Sequence, residues 1–232
     1  MLEIKELAIR RGSAENPFNI VLPSLSLNDG EVVALCGSSG CGKSTLLEMI
    51  GLILKPHRLS SYQLGNAEHT EQIAEDIHHQ QQNKLAKLRA EYFGFMLQSG
   101  GLLPFLTVQE NIALPCQMLG KAADRQWLDY LISQLQVGQL LHHYPKQLSI
   151  GERQRISFIR SLAHHPSILL ADEPTAALDP NNADKLFDII IDLVKKNNIS
   201  ALIVSHDWDL LSERGIRFIH GKVSDNQAVF QE

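Results

Sequence analysis

A chain of 232 residues with 44% apolar and 20% charged side chains can bury an ample core as one large α/β domain, and its make-up is that of a soluble globular protein. Its formal net charge of −5, with no basic tail, argues against nonspecific nucleic-acid binding as its main task. No apolar run approaches the roughly 18 residues of a membrane span and the first residues lack a basic-then-apolar signal pattern, so a cytosolic protein is expected unless a partner holds it at a membrane.

Leu2 to Ile9 alternate apolar and polar side chains for most of their length and read as a strand with one wet face. Residues 10 to 17 read as a loop, 18 to 27 as a second strand region interrupted at Pro23, and Asn28-Asp29-Gly30 as a turn, which makes the first thirty residues an antiparallel flap. The run Val32-Val33-Ala34-Leu35-Cys36 then leads into Gly37-Ser38-Ser39-Gly40-Cys41-Gly42-Lys43-Ser44-Thr45. A buried strand, a Gly-rich turn and a helix beginning near Lys43 make up the P-loop pattern. Glycines are needed because the backbone must turn tightly and aim several N–H groups inward, conformations that a Cβ obstructs. Lys43 is placed to reach terminal phosphates and the Ser44 hydroxyl to coordinate Mg²⁺. The helix through Ile50 adds the positive end of its dipole, so a nucleoside triphosphate is the implied ligand.

From Lys55 to Arg89 the periodic signal weakens, and Asn66 to Asn83, with His69, His78, His79 and Gln80-Gln81-Gln82, reads as a solvated surface segment. Adjacent histidines do not share a helix face as an i, i+4 pair does, so His142-His143 and His164-His165 are also read as solvated rather than metal-binding. Residues 83 to 90 predict a helix leading into a strand at 92 to 97. Between Gln98 and Ala163 the composition turns helical, with loops at Gly100-Gly101, Leu103-Pro104 and Tyr144-Pro145. Two β-rich runs follow, Ile168 to Ala171 and Ala201 to Val204, separated by the amphipathic stretch 183 to 196; that rhythm indicates a parallel sheet. Cys36, Cys41 and Cys116 have no metal-ligand spacing and are expected to be free thiols in a reducing compartment. Cys41, inside the P-loop, is either a small filler or a thiol made reactive by the loop's N–H groups and Lys43.

The strand at 168 to 171 delivers Asp172 and Glu173 at its C-terminal end, where ligands bind in open α/β sheets. Asp172 suits a Mg²⁺ shell and Glu173 suits general-base work on water attacking a γ-phosphate. Gln98 and His206, each just past a strand, fit the same site: the amide can bridge Mg²⁺ and the lytic water, and the imidazole can bond a γ-phosphate oxygen and hold the base in line. Leu148-Ser149-Ile150-Gly151-Glu152 supplies a capping-box helix start, whose hydroxyl, free N–H groups and dipole also make a second anion site.

The ordered set of Gly37 to Thr45, Gln98, Leu148 to Glu152, Asp172-Glu173, Ala177-Leu178-Asp179 and His206 resembles the ATPase subunit of ABC transporters over essentially the whole chain. The resemblance implies an α/β P-loop NTPase fold of RecA-like type, with a parallel sheet core, the N-terminal antiparallel β flap and an inserted helical subdomain. Within a single domain, residues 1–98 and 164–232 would form the nucleotide-binding core and 99–163 the helical part. It also implies that two cassettes pack head to tail around ATP and Mg²⁺, with Ser149 and Gly151 contacting the γ-phosphate in trans and Asp179 in the loop coupling the two sites. A homodimer and an integral membrane permease are the implied partners, with no nucleic acid, and the expected place is the cytoplasmic face of the cell membrane. Residues 88 to 98, Leu102-Leu103-Pro104 and 107 to 115 look like the branch serving lipoprotein-releasing and macrolide-exporting permeases, in which the segment after Gln98 would receive a coupling helix.

Three departures stand out. Ile150 replaces the first of the family's paired glycines, where helical backbone contacts are kept but its bulk weakens ATP-driven closure. Glu152 replaces the usual Gln, bringing negative charge toward ATP unless a capping contact turns the carboxylate aside. At the expected adenine-stacking aromatic of the flap stand Arg10-Arg11, with Phe18 nearby; either Arg or Phe can stack. Rival readings are a soluble ABC-type ATPase acting on DNA or ribosomes, a P-loop kinase, and a weakly hydrolysing regulatory module.

Overall fold

The computed structural model describes every residue except 14–15, 66–69 and 207, and the side chains of 208–210 are likewise outside the description. Ten strands, β1 (Leu2–Gly12), β2 (Pro17–Leu27), β3 (Val32–Gly37), β4 (Ser61–Gly65), β5 (Thr70–Gln72), β6 (Phe93–Met96), β7 (Ile168–Asp172), β8 (Ser200–Val204), β9 (Arg217–Ser224) and β10 (Gln227–Gln231), form one mixed sheet. Their spatial order is β5-β4-β1-β2-β10-β9-β3-β8-β7-β6. The half from β9 to β6 is parallel, and β3 and β8 are buried along their whole length, which is why they read as unbroken apolar runs. The flap half is antiparallel from β2 through β1 and β4 to β5.

Alternation along the central strands sorts their side chains into two cores. Val33 and Leu35 point to a core shared with the flap, α1 (Lys43–Ile50), α2 (Ala74–His78) and α3 (Gln82–Tyr92). Val32, Ala34 and Cys36 face the opposite core with α4 (Val108–Met118), α5 (Arg125–Gln134), α6 (Ile150–Leu162) and α7 (Pro180–Lys196). A short α8 (Trp208–Glu213) follows β8. Helix α6 crosses β6 so closely that a Cβ on Gly94 would lie 2.1 Å from the Ser161 carbonyl oxygen.

Four expectations need correction. Pro23 does not interrupt β2: pairing with β10 stops at Val21, and Glu6 opposite Pro23 leaves the ladder with φ 54°, so neither neighbour requires the missing N–H. The expected loop at 10–17 is shorter, because β1 runs on to Gly12 and β2 starts at Pro17. The stretch 66–83 is not simply solvated, because Ile73, Ala74 and Ile77 are buried; in the weakly patterned residues on either side Tyr62, Leu85 and Leu88 are buried too, and the Tyr62 hydroxyl donates to the Ile50 carbonyl at the end of α1. Its elements are too short to show a period, each contributing one or two anchors. His78 and His79 are exposed as expected, and His69 lies outside the described residues. His164 is half-buried with Nε2 3.1 Å from the Phe93 carbonyl oxygen, and His143 is also only partly exposed, so the two pairs are not uniformly solvated. The hairpin β9–β10 was not anticipated.

Candidate functional site

The P-loop joins β3 to α1 through Gly37, Gly40 and Gly42 at φ 147°, 77° and 100°. A Cβ on Gly42 would lie 2.4 Å from Ile20 Cδ1, whereas one on Gly40 would meet nothing within 4 Å, so Gly40 is needed for its backbone conformation and leaves the loop open. Lys43 is 6% exposed, and its ammonium spans the loop by donating to the Gly37 and Ser38 carbonyls at 3.0 Å each. Helix α1 has no side-chain cap, which leaves its first N–H groups for a ligand. Cys41 is fully buried against Gly37 and acts as the small filler.

Parallel pairing explains how residues far apart in sequence converge. Met96 pairs with Ala171 and Asp172 with Val204, so the C-terminal ends of β6, β7 and β8 lie side by side. The chain leaving β7 presents Glu173; that leaving β6 presents Gln98; that leaving β8 presents His206. Glu173 has φ 48° and donates its N–H to the Val204 carbonyl at 3.1 Å, which turns its carboxylate back over the strand ends. Gln98 Nε2 donates to Glu173 Oε2 at 2.8 Å, and His206 Nε2 lies 2.6 Å from Oε1. The Glu173 side chain is 17% exposed, so both oxygens are held in a largely dry setting. Asp172 bonds the Ser44 hydroxyl, which links β7 to the P-loop. Burial raises the Asp172 carboxyl above the ordinary range, the Ser44 bond lowers it, and the Glu173 charge raises it further.

Ser149 caps α6 with the reciprocal box read from the sequence. Its N–H and hydroxyl both donate to Glu152 Oε2 at 2.8 Å, and its Oγ accepts the Glu152 N–H at 3.3 Å. The Glu152 carboxylate is thus folded back onto the cap. Ile150, the first helical residue, is 47% exposed. Ser149, Ile150, Gly151, Arg155, Leu178 and Asp179 line a half-open groove of about 1120 Å³, whose walls include none of Gly37 to Thr45. Asp179 caps α7, accepting from the Asn182 N–H at 3.2 Å and its amide at 2.7 Å. The chain therefore carries two assemblies, one around Lys43, Asp172 and Glu173 and the other around Ser149, Gly151 and Asp179. On the flap, Phe18 packs against the core while Arg10 and Arg11 remain exposed.

Sequence reasoning missed the support beneath Gln98. Gln154 Nε2 donates to the Gln98 carbonyl at 2.9 Å, Ser157 Oγ to Gly100 O at 2.7 Å, and Arg160 Nη1 and Nη2 to Gly101 O at 2.6 Å and Gly100 O at 3.1 Å. Polar residues three apart on the otherwise apolar inner face of α6 were the available signal.

The family model described as ABC transporter matches residues 22–176. An uncharacterized ABC transporter ATP-binding protein, YbbA of Escherichia coli K12, is 33% identical over 97% of both chains. The lipoprotein-releasing system ATP-binding protein LolD 1 of Rhodospirillum rubrum is 38% identical over 86% of both. Among solved structures, the dimeric post-hydrolysis state of the ATP-binding cassette MJ0796, bound to ADP and Pi, is 29% identical with a TM-score of 0.80, covering 98% of this chain and 96% of that one.

Proposed function

The chain belongs to the ABC transporter ATPase family, and from that premise we propose that two copies of it pack head to tail on the cytoplasmic face of a membrane. There they would hydrolyse ATP to drive a permease in lipoprotein or lipid release, or in export. As a family member it is an ATP-binding and ATP-hydrolysing subunit that powers a transporter. The observation that carries the arrangement is the division of its polar groups into two assemblies on one chain, each with half of what a γ-phosphate requires. The dimeric form of the similar cassette supports it, and so does the LolD relative for the substrate class.

The donor set fits the ligand. The Ser44 hydroxyl, the Asp172 carboxylate and the Gln98 amide oxygen are hard oxygen donors suited to Mg²⁺, which when bound neutralises charge on the phosphates. Lys43 exchanges the Gly37 and Ser38 carbonyls for phosphate oxygens as the loop's N–H groups and the start of α1 close on them. Glu173 accepts the proton of the attacking water; Gln98 and His206, already on its two oxygens, fix its direction. Ser149 and Gly151 of the second copy close the site from the other side, with Asp179 at the junction. Glu152, turned onto the Ser149 cap, keeps its charge bonded there, so this departure does not by itself bar closure.

Sizing of the Glu173→Gln variant with and without ATP tests the arrangement. A nucleotide-dependent doubling of mass is expected; a variant that binds ATP yet stays monomeric, or a native protein that hydrolyses ATP at full rate as a monomer, overturns it. Purification from membranes with the permease bound tests the placement.

A further inference from the structure

We propose that Arg160 is a positioning residue for Gln98. Together with Gln154 and Ser157 it fastens residues 98–101 to α6, so that the helix carrying Ser149 and the amide touching Glu173 move as one body. The inference rests on the reading of Gln98 and Glu173 given above, and concerns how Gln98 is held.

Arg160 is largely buried, and no carboxylate is paired with it among the described residues. Desolvation alone accounts for the lowering of its pKa. A buried cation without a counter-ion is costly, and an apolar side chain of similar volume fills such a site more cheaply. What an apolar side chain cannot do is hold two carbonyls. Arg160 takes those of Gly100 and Gly101, Ser157 takes Gly100 again, and Gln154 takes that of Gln98 itself. The loop is shaped for this grip. Gly100 and Gly101 have φ 76° and 59°, which turns their carbonyls toward α6, and a Cβ on Gly101 would lie 3.1 Å from Arg160 Nη2.

The result is a continuous path of direct contacts. Ser149 begins α6; Gln154, Ser157 and Arg160 follow along it at intervals of three residues; their acceptors lie at or just after Gln98; and the Gln98 amide ends on Glu173 Oε2. Any displacement of α6 when Ser149 engages a nucleotide across the dimer is transmitted to the amide that orients the base. One protomer's cap is thereby coupled to its own hydrolytic site.

A double-mutant cycle on ATP hydrolysis tests this, using full-length protein and thermal unfolding to confirm that each variant is folded. Arg160→Lys keeps the charge but loses the forked grip on two carbonyls. It should lower kcat by about 10- to 10²-fold, the scale of a slight misplacement at a catalytic group, with KM for ATP unchanged. Gln98→Ala should lower kcat at least as much, and the double variant should be no slower than Gln98→Ala alone. A double variant whose losses multiply, or an Arg160→Lys protein with normal kcat, overturns the proposal while leaving the reading of Glu173 intact. Normal turnover in Gln98→Ala overturns both the role of Gln98 and the coupling through it. Should Arg160→Lys not fold, Ser157→Ala removes one bond of the same grip. It should lower kcat severalfold in the native background and not at all in Gln98→Ala, and multiplying losses there refute the coupling equally.

Discussion

Replacing Glu173 by Gln separates chemistry from structure. The backbone at Glu173 is fixed by φ 48° and by its N–H bond to Val204, and neither depends on the side chain's charge. The carboxylate accepts from Gln98 on one oxygen and meets His206 on the other, so an amide reverses the polarity of one contact only. Gln98 or His206 can answer by turning its amide or changing tautomer, which limits the stability loss to about 1–2 kcal/mol, the scale of one buried hydrogen bond. For a chain of this size that is a fall in Tm of roughly 2–8 °C. The lost proton acceptor should instead slow hydrolysis by about 10²- to 10⁴-fold, or roughly 3–5 kcal/mol of barrier. Phosphate release under saturating ATP reads the rate, equilibrium dialysis reads binding, and calorimetry reads Tm. Hydrolysis within threefold of the native rate would refute the assignment of the base, and a collapse of Tm with loss of binding would show that Glu173 serves the fold.

Lys43→Ala should lose ATP affinity by at least about 10²-fold, because the charge-assisted phosphate contacts expected of its ammonium go with it; unchanged affinity in dialysis counts against the P-loop reading. Gly94→Ala forces α6 off β6, since the new Cβ would sit 2.1 Å from Ser161 O and 2.9 Å from its carbonyl carbon. Overpacking of this kind costs about 1–3 kcal/mol or more and should lower Tm by several degrees, so an unaltered melting curve would disprove the close crossing. Glu152→Gln keeps the capping box but not its charge. The Ser149 N–H and then its hydroxyl hold the Glu152 carboxyl below its ordinary range, so its contribution to stability is present above the unfolded pKa and lost as pH falls through the folded one. Urea titrations should therefore find the native protein more stable than Glu152→Gln at neutral pH, with the gap closing in acid; a gap independent of pH rejects this account.

The parallel half of the sheet was legible because its strands are buried on both faces and appear as apolar runs. The P-loop was legible because few sequences satisfy strand, glycine spacing, Lys and helix together. Gln98 and His206 could be assigned only through order in the chain, since their convergence on Glu173 depends on which strands are neighbours. What escaped has identifiable causes. Tyr62, Ile73 and Ile77 sit singly among polar residues, below the length at which a period emerges. Pro23 breaks a strand only where a ladder needs its N–H, which requires knowing where β10 ends. The grip of Arg160 on a carbonyl pair has no local pattern, since its partners are backbone atoms about sixty residues upstream.

The order of strands also bears on assembly at the ribosome. β10 follows every other described strand in the chain, yet together with β9 it is wedged between β2 and β3. Until residues 217–231 emerge, no strand joins the edge of β2 to the edge of β3, and the keystone that unites the two halves comes after every other described strand. Translation halted before that point would yield a protein with its phosphate loop written but its arch unclosed.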